Sequence, residues 1–522
     1  MRPSRLGLPA RYTSWRKGQW SVIWESARSR KRFLGYVLPT GFGKTLTYVG
    51  ASRLQGHRFA VLCATRPHQD QLISQLEGMG HLTDIRGAGN YECLLKTKDD
   101  IDLPKPRTCD SGHCKAGVSC DLRQAGCLYF DTVRSALAAE IVVTNYAYWM
   151  HSYEYGEGLG HFDALVLDEA HEAPGQLSNF LGCTISESDI LIFGLGYPSI
   201  RDWRTWVRDS ALKMEIAASH ETAVDQLLQI KRLQQSLAKL MIGDPVDWNI
   251  EHVGRSLRFD VIWPDAYAEH VLFRGIDRIT LVSATLRRKT LALLGIKKGD
   301  YRWIERKSDF PLDRRPVYFI PTAKIDRKTT PEQLGKWRAR IEEITSSRFD
   351  RKGIIQTVSY ERRDTIASTV SNNGFVTHRR RQLTDGIERF KGAAEGAVLV
   401  SPSAVQGFDF AGRACEYQII AKLPFPDQSS RLLRIRSQGD PDYAMYLTAQ
   451  SIEQMTGRHM RDRRDRGETF IIDDNWRWFF GRYYRYFTLS FRLAAQTRAT
   501  VPPPPPRAPL TVGAIRASIN HQ

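Results

Sequence analysis

The sequence predicts an α/β protein built from two parallel-sheet domains, the first of them interrupted by two insertions. Three observations carry this. Short apolar runs rich in Val, Ile and Leu alternate with helical stretches, the pattern of parallel strands covered by helices. The runs fall into two series separated by a charged, proline-broken stretch, ERKSDFPLDRR, near residues 305 to 314. And 522 residues exceed what one core organises, at about 150 residues per domain.

The first series comprises FLGYVL (33 to 38), FAVLCA (59 to 64), EIVVT (140 to 144), ALVLD (164 to 168) and ITLVS (279 to 283). The second comprises PVYFI (316 to 320), GIIQTV (353 to 358), GAVLVS (396 to 401), YQIIAKL (417 to 423) and TFIID (469 to 473). Expected segments are therefore 1–89, 131–171 and 276–305 for the first domain and 306–500 for the second. Residues 90–130 are Cys-rich with few long apolar runs, so bound metal is expected to supply stability that a core cannot. Residues 172–275 contain ETAVDQLLQIKRLQQSLAKLM, apolar at three-to-four spacing, and read as a mainly helical insertion. The end, 501–522, opens on VPPPPPRAP, a stiff stretch and tail for which no packed structure is expected.

Seventy-five Lys and Arg against 57 Asp and Glu give a net charge of +18, which favours a polyanionic partner, nucleic acid first. The N-terminus MRPSRLGLPARYTSWRKGQW is basic and lacks the continuous apolar stretch of a secretory signal. No segment reaches the roughly 18 uninterrupted apolar residues of a membrane span. A cytoplasmic protein without a membrane partner is expected. Five of the eight cysteines (Cys93, Cys109, Cys114, Cys120, Cys127) crowd into one polar segment, which in a reducing compartment points to metal ligation rather than disulfides.

LPTGFGKT follows a strand and enters a helix, the context of a phosphate-binding loop. Across Thr40, Gly41, Phe42, Gly43, Lys44 and Thr45, the glycines let backbone N–H groups close around phosphate. Lys44 neutralises the β and γ phosphates of ATP, and Thr45 holds Mg²⁺. The first Gly of the full consensus is replaced by Leu38. ALVLDEAH places Asp168 and Glu169 at the carboxyl edge of the sheet, where ligands bind in open α/β folds. There Asp168 holds Mg²⁺ through water and Glu169 orients and deprotonates the attacking water.

These residues resemble superfamily 2 helicases, whose DEAH box matches Asp168 to His171. The resemblance extends to SAT at Ser283 to Thr285, QGFDF at 406 to 410 and QMTGRHMR at 454 to 461. On a helix, Gln454, Arg458 and Arg461 share a face, and cations there can stabilise charge developing on the γ-phosphate. By resemblance, Arg458 and Arg461 are arginine fingers, Gly407 and Asp409 belong to a segment coupling hydrolysis to movement, and Gln19 in RKGQW reads adenine.

Cysteines between the phosphate loop and the DEAH box are similar to those marking the XPD and DinG branch. So are GNYEC, the aromatic pair after the last Cys, and VVTNYA. Four thiolates suit zinc as well as a 4Fe-4S cluster on ligand chemistry alone; the position in the resemblance implies the cluster. The family's order implies Cys93, Cys114, Cys120 and Cys127 as ligands, with Cys109 as the alternative. The resemblance further implies two recA-like domains, an arch-like second insertion, and a monomeric enzyme of a bacterial or virus-infected cell. The implied activity is translocation 5′ to 3′ on single-stranded DNA to open forked or flapped duplexes. Tyr146, Tyr148 and Trp149, and Thr65 with Arg66, are candidates to meet bases and phosphates of the strand. A different reading is a non-unwinding ATPase that closes on nucleic acid and senses its structure.

Overall fold

A computed structural model of the chain describes residues 1–95, 106–117, 119–199, 202–244, 247–371, 374–380, 382–402, 410, 412–457 and 465–506. It divides into two compact units, Met1–Asp309 with Phe425–Leu447, and Phe310–Pro424 with Thr448–Gln522.

In the first unit, Phe33–Val37 (β1), Phe59–Cys63 (β2), Leu82–Asp84 (β3), Ile141–Asn145 (β4) and Ala164–Asp168 (β5) are the first five strands among the described residues. The insertion supplies Cys183–Ile185 (β6), Trp248–Val253 (β7) and Ser256–Val261 (β8), and Arg278–Ser283 (β9) and Tyr301–Glu305 (β10) follow. Seven of these form a wholly parallel sheet ordered β10-β1-β9-β5-β2-β4-β3. Strands β1, β2 and β5 are buried at every position, as parallel strands covered on both faces must be. That burial is why the continuous Val/Leu/Ile runs are legible. The edge strands β3 and β10 carry half-exposed, mixed sequences and have no such run.

Helices Gln19–Arg28 (α1), Lys44–Leu54 (α2) and Arg66–Leu76 (α3) are followed in the Cys-rich insertion by the short His113–Ala116 (α4). Leu128–Ala138 (α5) and Tyr146–Tyr155 (α6) come next. The second insertion contains Ala173–Leu181 (α7), Glu187–Ile192 (α8), Trp203–His220 (α9) and Val224–Leu240 (α10). Beside these helices it carries a small sheet that the helical period of its sequence did not announce. β6, β8 and β7 form an antiparallel sheet, and Phe259 of β8 packs against Trp203 and Trp206 of α9. Alternation of buried and exposed residues in SLRFDV is the two-residue period of a half-covered strand.

The second unit holds Val317–Ala323 (β11), Gly353–Gln356 (β12), Phe375–Val376 (β13), Val398–Ser401 (β14), Tyr417–Ile420 (β15), Glu468–Asp473 (β16) and Ala495–Thr497 (β17). They form a second parallel sheet, ordered β13-β14-β12-β15-β16-β11-β17. Arg348 is fully buried and grips Glu468 of β16 through two hydrogen bonds, Nε to Oε2 at 2.8 Å and Nη2 to Oε1 at 2.9 Å. Glu468→Ala would leave that guanidinium buried without its counter-charge, a loss of about 3–5 kcal/mol. Urea unfolding of this unit should then begin at a clearly lower concentration, whereas Glu332→Ala, at an exposed helix pair, should leave it essentially unchanged.

Two further expectations are corrected here. Phe425–Leu447, expected in the second domain, groups with the first unit because Arg436 is buried there. Its guanidinium donates to the carbonyls of Ile262 (2.6 Å) and Val261 (3.0 Å) and to Ser178 Oγ (3.2 Å), while Lys289 bonds Asp440 and Thr290 meets Tyr446 at 2.7 Å. The start of the proline stretch is also packed. Val501 lies on the second unit's core, and the carbonyls of Pro502 and Pro505 accept from Arg348 and Arg351. An extended proline backbone has no internal hydrogen bonds, so its carbonyls are open to such donors. Residues 507–522 lie outside the described residues.

Candidate functional site

β1, β9 and β5 are neighbours in the sheet, with Val37 opposite Ser283 and Val282 opposite Asp168. Their carboxyl ends therefore bring the phosphate loop, SAT and the DEAH box to one place. The loop turns through left-handed backbone at Gly41 (φ 78°) and Gly43 (φ 84°), a conformation that costs a side chain dearly, and Gly43 caps α2. A Cβ on Gly43 would also stand 2.3 Å from Gln19 Nε2.

Gln19 is fully buried. Its Nε2 donates to the Gly43 carbonyl at 3.0 Å and its Oε1 accepts from Arg16 N at 2.6 Å, while the Arg16 guanidinium reaches the Gly41 carbonyl. Gln19 thus holds the loop's backbone, a role that spacing did not suggest. Lys44 Nζ donates to Glu169 Oε1 at 2.8 Å. Glu169 Oε2 accepts from Ser283 Oγ at 3.0 Å and lies 3.2 Å from His171 Nδ1. His171 also contacts Ser283 Oγ (2.8 Å) and Glu172 (3.2 Å). Burial works to raise the Glu169 carboxyl, but Lys44, His171 and His68 override it and hold the group well below the usual carboxylate range. Glu169 is therefore a charged acceptor, and it sits at φ 48°, a left-handed strain that turns its side chain off the strand.

Asp168 is buried. Its Oδ1 accepts from the Glu169 N–H at 2.9 Å, and Oδ2 accepts from Tyr48 Oη at 2.9 Å and lies 3.3 Å from His68 Nε2. Tyr48 and His68 were missed by sequence reasoning; neither belongs to a motif, and only the fold places α2 and α3 against β5.

Of the strand-contacting candidates, three are overturned. Tyr146, Tyr148 and Trp149 are core residues: Tyr146 Oη donates to the Asp168 carbonyl at 3.1 Å and Trp149 Nε1 to that of Leu272 at 2.9 Å. Aromatics after a strand end fill the helix–sheet interface of α6. Thr65 and Arg66 are exposed at the start of α3, Thr65 accepting from the His68 N–H as its cap. Gln454 lies in helix Tyr443–Thr456. Gly407, Asp409, Arg458 and Arg461 lie outside the described residues.

In the Cys-rich insertion an antiparallel bridge between Glu92 and Thr108 sets Cys93 beside Cys109, with Cys93 N–H on the Arg107 carbonyl and Cys109 N–H on that of Tyr91, both at 2.8 Å. Both cysteines are buried. Cys109 Sγ lies 4.0 Å from Cys127 Sγ, Cys127 being the residue before α5, and Cys114 lies on α4. Burial pushes the Cys109 thiol up to about 12, and Cys127, Cys93 and Cys114 add to the shift. Burial likewise raises Cys114, with Cys120, Cys93 and Cys127 contributing. Cys109 thus feels Cys127, Cys93 and Cys114, and Cys114 feels Cys120, Cys93 and Cys127, and a cation among these thiols would relieve the repulsion between thiolates. Among the described residues no three His, Cys, Asp or Glu side chains stand in metal-holding geometry. The donor chemistry of these thiols fits a thiolate-bound metal.

The comparisons agree with this arrangement. A model described as the helicase C-terminal domain matches residues 347–492, and one described as the res subunit of type III restriction enzymes matches residues 13–195. The chain is 21% identical to the ATP-dependent DNA helicase YoaA of Escherichia coli (strain K12), over 83% of this chain and 87% of that one. Its identity to YoaA of Haemophilus influenzae is 20%, over 88% and 90%. The solved structure "XPD_Helicase" superposes with a TM-score of 0.61 at 16% identity, covering 93% of this chain and all of that one. The S. tokodaii Xpd4 structure gives 0.61 at 14%, with the same coverage. Among the described residues no helix is long and apolar enough to cross a membrane. The match to the helicase C-terminal domain over residues 347–492, together with a phosphate loop joined to a DEAH box in the first unit, supports the chain's being a superfamily 2 helicase.

Proposed function

We propose that the chain is an ATP-dependent DNA helicase that moves 5′ to 3′ along single-stranded DNA and separates duplex strands at forks or flaps, in repair, replication or recombination. The observation that carries this is the convergence of Lys44, Asp168, Glu169 and Ser283 at the ends of three adjacent strands.

Lys44 leaves Glu169 to reach the β and γ phosphates. Glu169 remains held by Ser283 and His171, its charge intact, and accepts the proton of the attacking water. Mg²⁺, when bound, neutralises charge on the same phosphates. Thr45 and Asp168 would hold it. By the family resemblance, Gln454, Arg458 and Arg461 stabilise the developing γ-phosphate charge, Asp409 couples hydrolysis to movement, and Gln19 contacts adenine in addition to holding the loop. Ser283 touches both Glu169 and His171, so a change at the base is transmitted to SAT directly.

In the Cys-rich insertion, Cys93, Cys114, Cys120 and Cys127, with Cys109 as the alternative, would hold a 4Fe-4S cluster, whose ligation orders a segment with little core of its own. The insertion is tied to the second insertion through Arg107–Asp225 and to the first sheet's helix α6 through Tyr129 Oη, 3.2 Å from Tyr148 Oη. Arg66 at the exposed start of α3 contacts strand phosphate. Binding to single-stranded DNA should weaken steeply with salt, since phosphate neutralisation releases counterions, and should depend little on base sequence. Fluorescence anisotropy on labelled oligonucleotides across a salt series checks this; an affinity flat from low to physiological salt would oppose a basic path along the backbone. Hydrolysis measured with and without single-stranded DNA tests the motor itself.

A further inference from the structure

Asp168 is the most constrained carboxylate of the site. Its side chain is 2% exposed, and three elements besides its own strand hold it: α2 through Tyr48 Oη on Oδ2, α6 through Tyr146 Oη on its carbonyl, and α3 through His68, whose Nε2 faces Oδ2 at 3.3 Å. A carboxylate that holds a metal through water must present a fixed lone pair, and groups bonded to a ligand's other oxygen set its orientation. Tyr48 is fixed within the nucleotide-binding half. His68 is different, because of the turn that carries it.

His68 occupies the first turn of α3. Thr65 Oγ1 caps its N–H, Pro67 fixes the turn's backbone, and the next residue, Gln69, is fully buried with Nε2 on Asp84 Oδ1 and on the Ile85 carbonyl. The turn is therefore pinned to the sheet at Gln69, exposed at Thr65, Arg66 and Pro67, and in contact with Asp168 at His68. One residue separates the side chain on the carboxylate from the exposed Arg66.

We infer that His68 is a positioning residue for the metal-holding carboxylate Asp168, donating Nε2–H to Oδ2, and that through it strand contact at the start of α3 reaches the Mg²⁺ site. This rests on the reading of the site as an ATP-hydrolysing motor. A histidine that only filled space would leave the metal requirement untouched; one that orients Asp168 sets it.

The test compares His68→Ala and His68→Gln, the latter placing an amide N–H near the Nε2 position, for the Mg²⁺ concentration giving half-maximal ATP hydrolysis, with and without single-stranded DNA. Removing a group that orients a metal ligand typically costs 10- to 100-fold, so His68→Ala should raise half-saturating Mg²⁺ by about tenfold and keep kcat at saturating Mg²⁺ within about threefold. His68→Gln should recover most of the Mg²⁺ response, and stimulation by DNA at limiting Mg²⁺ should fall in His68→Ala and return in His68→Gln. A lowered kcat with unchanged Mg²⁺ dependence in His68→Ala would overturn the inference. So would a His68→Gln protein, folded by circular dichroism, that behaves as His68→Ala does. If the unaltered chain hydrolyses no ATP, the motor reading fails by itself. Calorimetric binding of a non-hydrolysable ATP analogue across the same Mg²⁺ series then reads His68 directly, an unchanged Mg²⁺ dependence again overturning it.

Discussion

Lys44→Ala is expected to lose nucleotide binding and hydrolysis together, whereas Glu169→Gln loses hydrolysis and keeps the nucleotide. In the structure these two side chains are each other's partners, Nζ to Oε1 at 2.8 Å, so the two variants fail by separate routes. Without Lys44 the phosphates lose their cation, and Glu169 loses the largest influence opposing burial. Removing one preorganised electrostatic contact costs on the order of 10²- to 10³-fold in kcat. Glu169→Gln removes the proton acceptor, on the order of 10²- to 10⁴-fold, and at the same time frees Lys44 from a competing carboxylate. Nucleotide affinity of Glu169→Gln should thus equal or exceed that of the unaltered chain in equilibrium binding. Near-normal DNA-stimulated turnover in either variant would contradict the assignment.

The second large effect concerns the cysteines. Cys93→Ser, Cys114→Ser, Cys120→Ser and Cys127→Ser are each expected to lose most of the iron and sulfide of anaerobically purified protein and its visible absorption, whereas Cys109→Ser keeps them. The family order makes Cys109 the alternative; the structure buries it beside Cys93 and sets its thiol 4.0 Å from Cys127. Losing one thiolate should open the insertion to limited proteolysis, because its neighbours are polar and its core is small. Hydrolysis should suffer less than strand separation, since Lys44, Asp168 and Glu169 lie outside the insertion. Loss of the iron in Cys109→Ser, with full iron kept in one of the other four variants, would put Cys109 in that residue's place. One zinc and no iron in the unaltered chain would remove the cluster and leave the motor.

Much of this was legible because buried parallel strands write themselves as unbroken apolar runs. All ten runs named from the sequence overlap strands of the two sheets, and the loop and DEAH motifs sit where those strands end. What stayed hidden has physical causes. Edge strands such as Leu82–Asp84 and Tyr301–Glu305 are short and half-exposed. The sheet of the second insertion was masked by the stronger helical period of the run ending in Leu240. Trp149 and its neighbours show that aromatic content after a strand does not say which way a helix faces. His68 and Tyr48 gave no signal, since their meeting with Asp168 depends on packing between segments 100 and 120 residues apart in the chain. The burial of Arg436 among the carbonyls of Val261 and Ile262 is of the same kind: a long-range contact with no local spelling.

Strand release from duplexes carrying a single 5′ or a single 3′ tail, followed with ATP and with the Glu169→Gln protein as background, tests the central claim most directly. The account predicts ATP-dependent release from the 5′-tailed substrate, little from the 3′-tailed one and none with Glu169→Gln. DNA-stimulated hydrolysis with release from neither substrate would contradict it, and would make the chain an ATPase that closes on nucleic acid without unwinding.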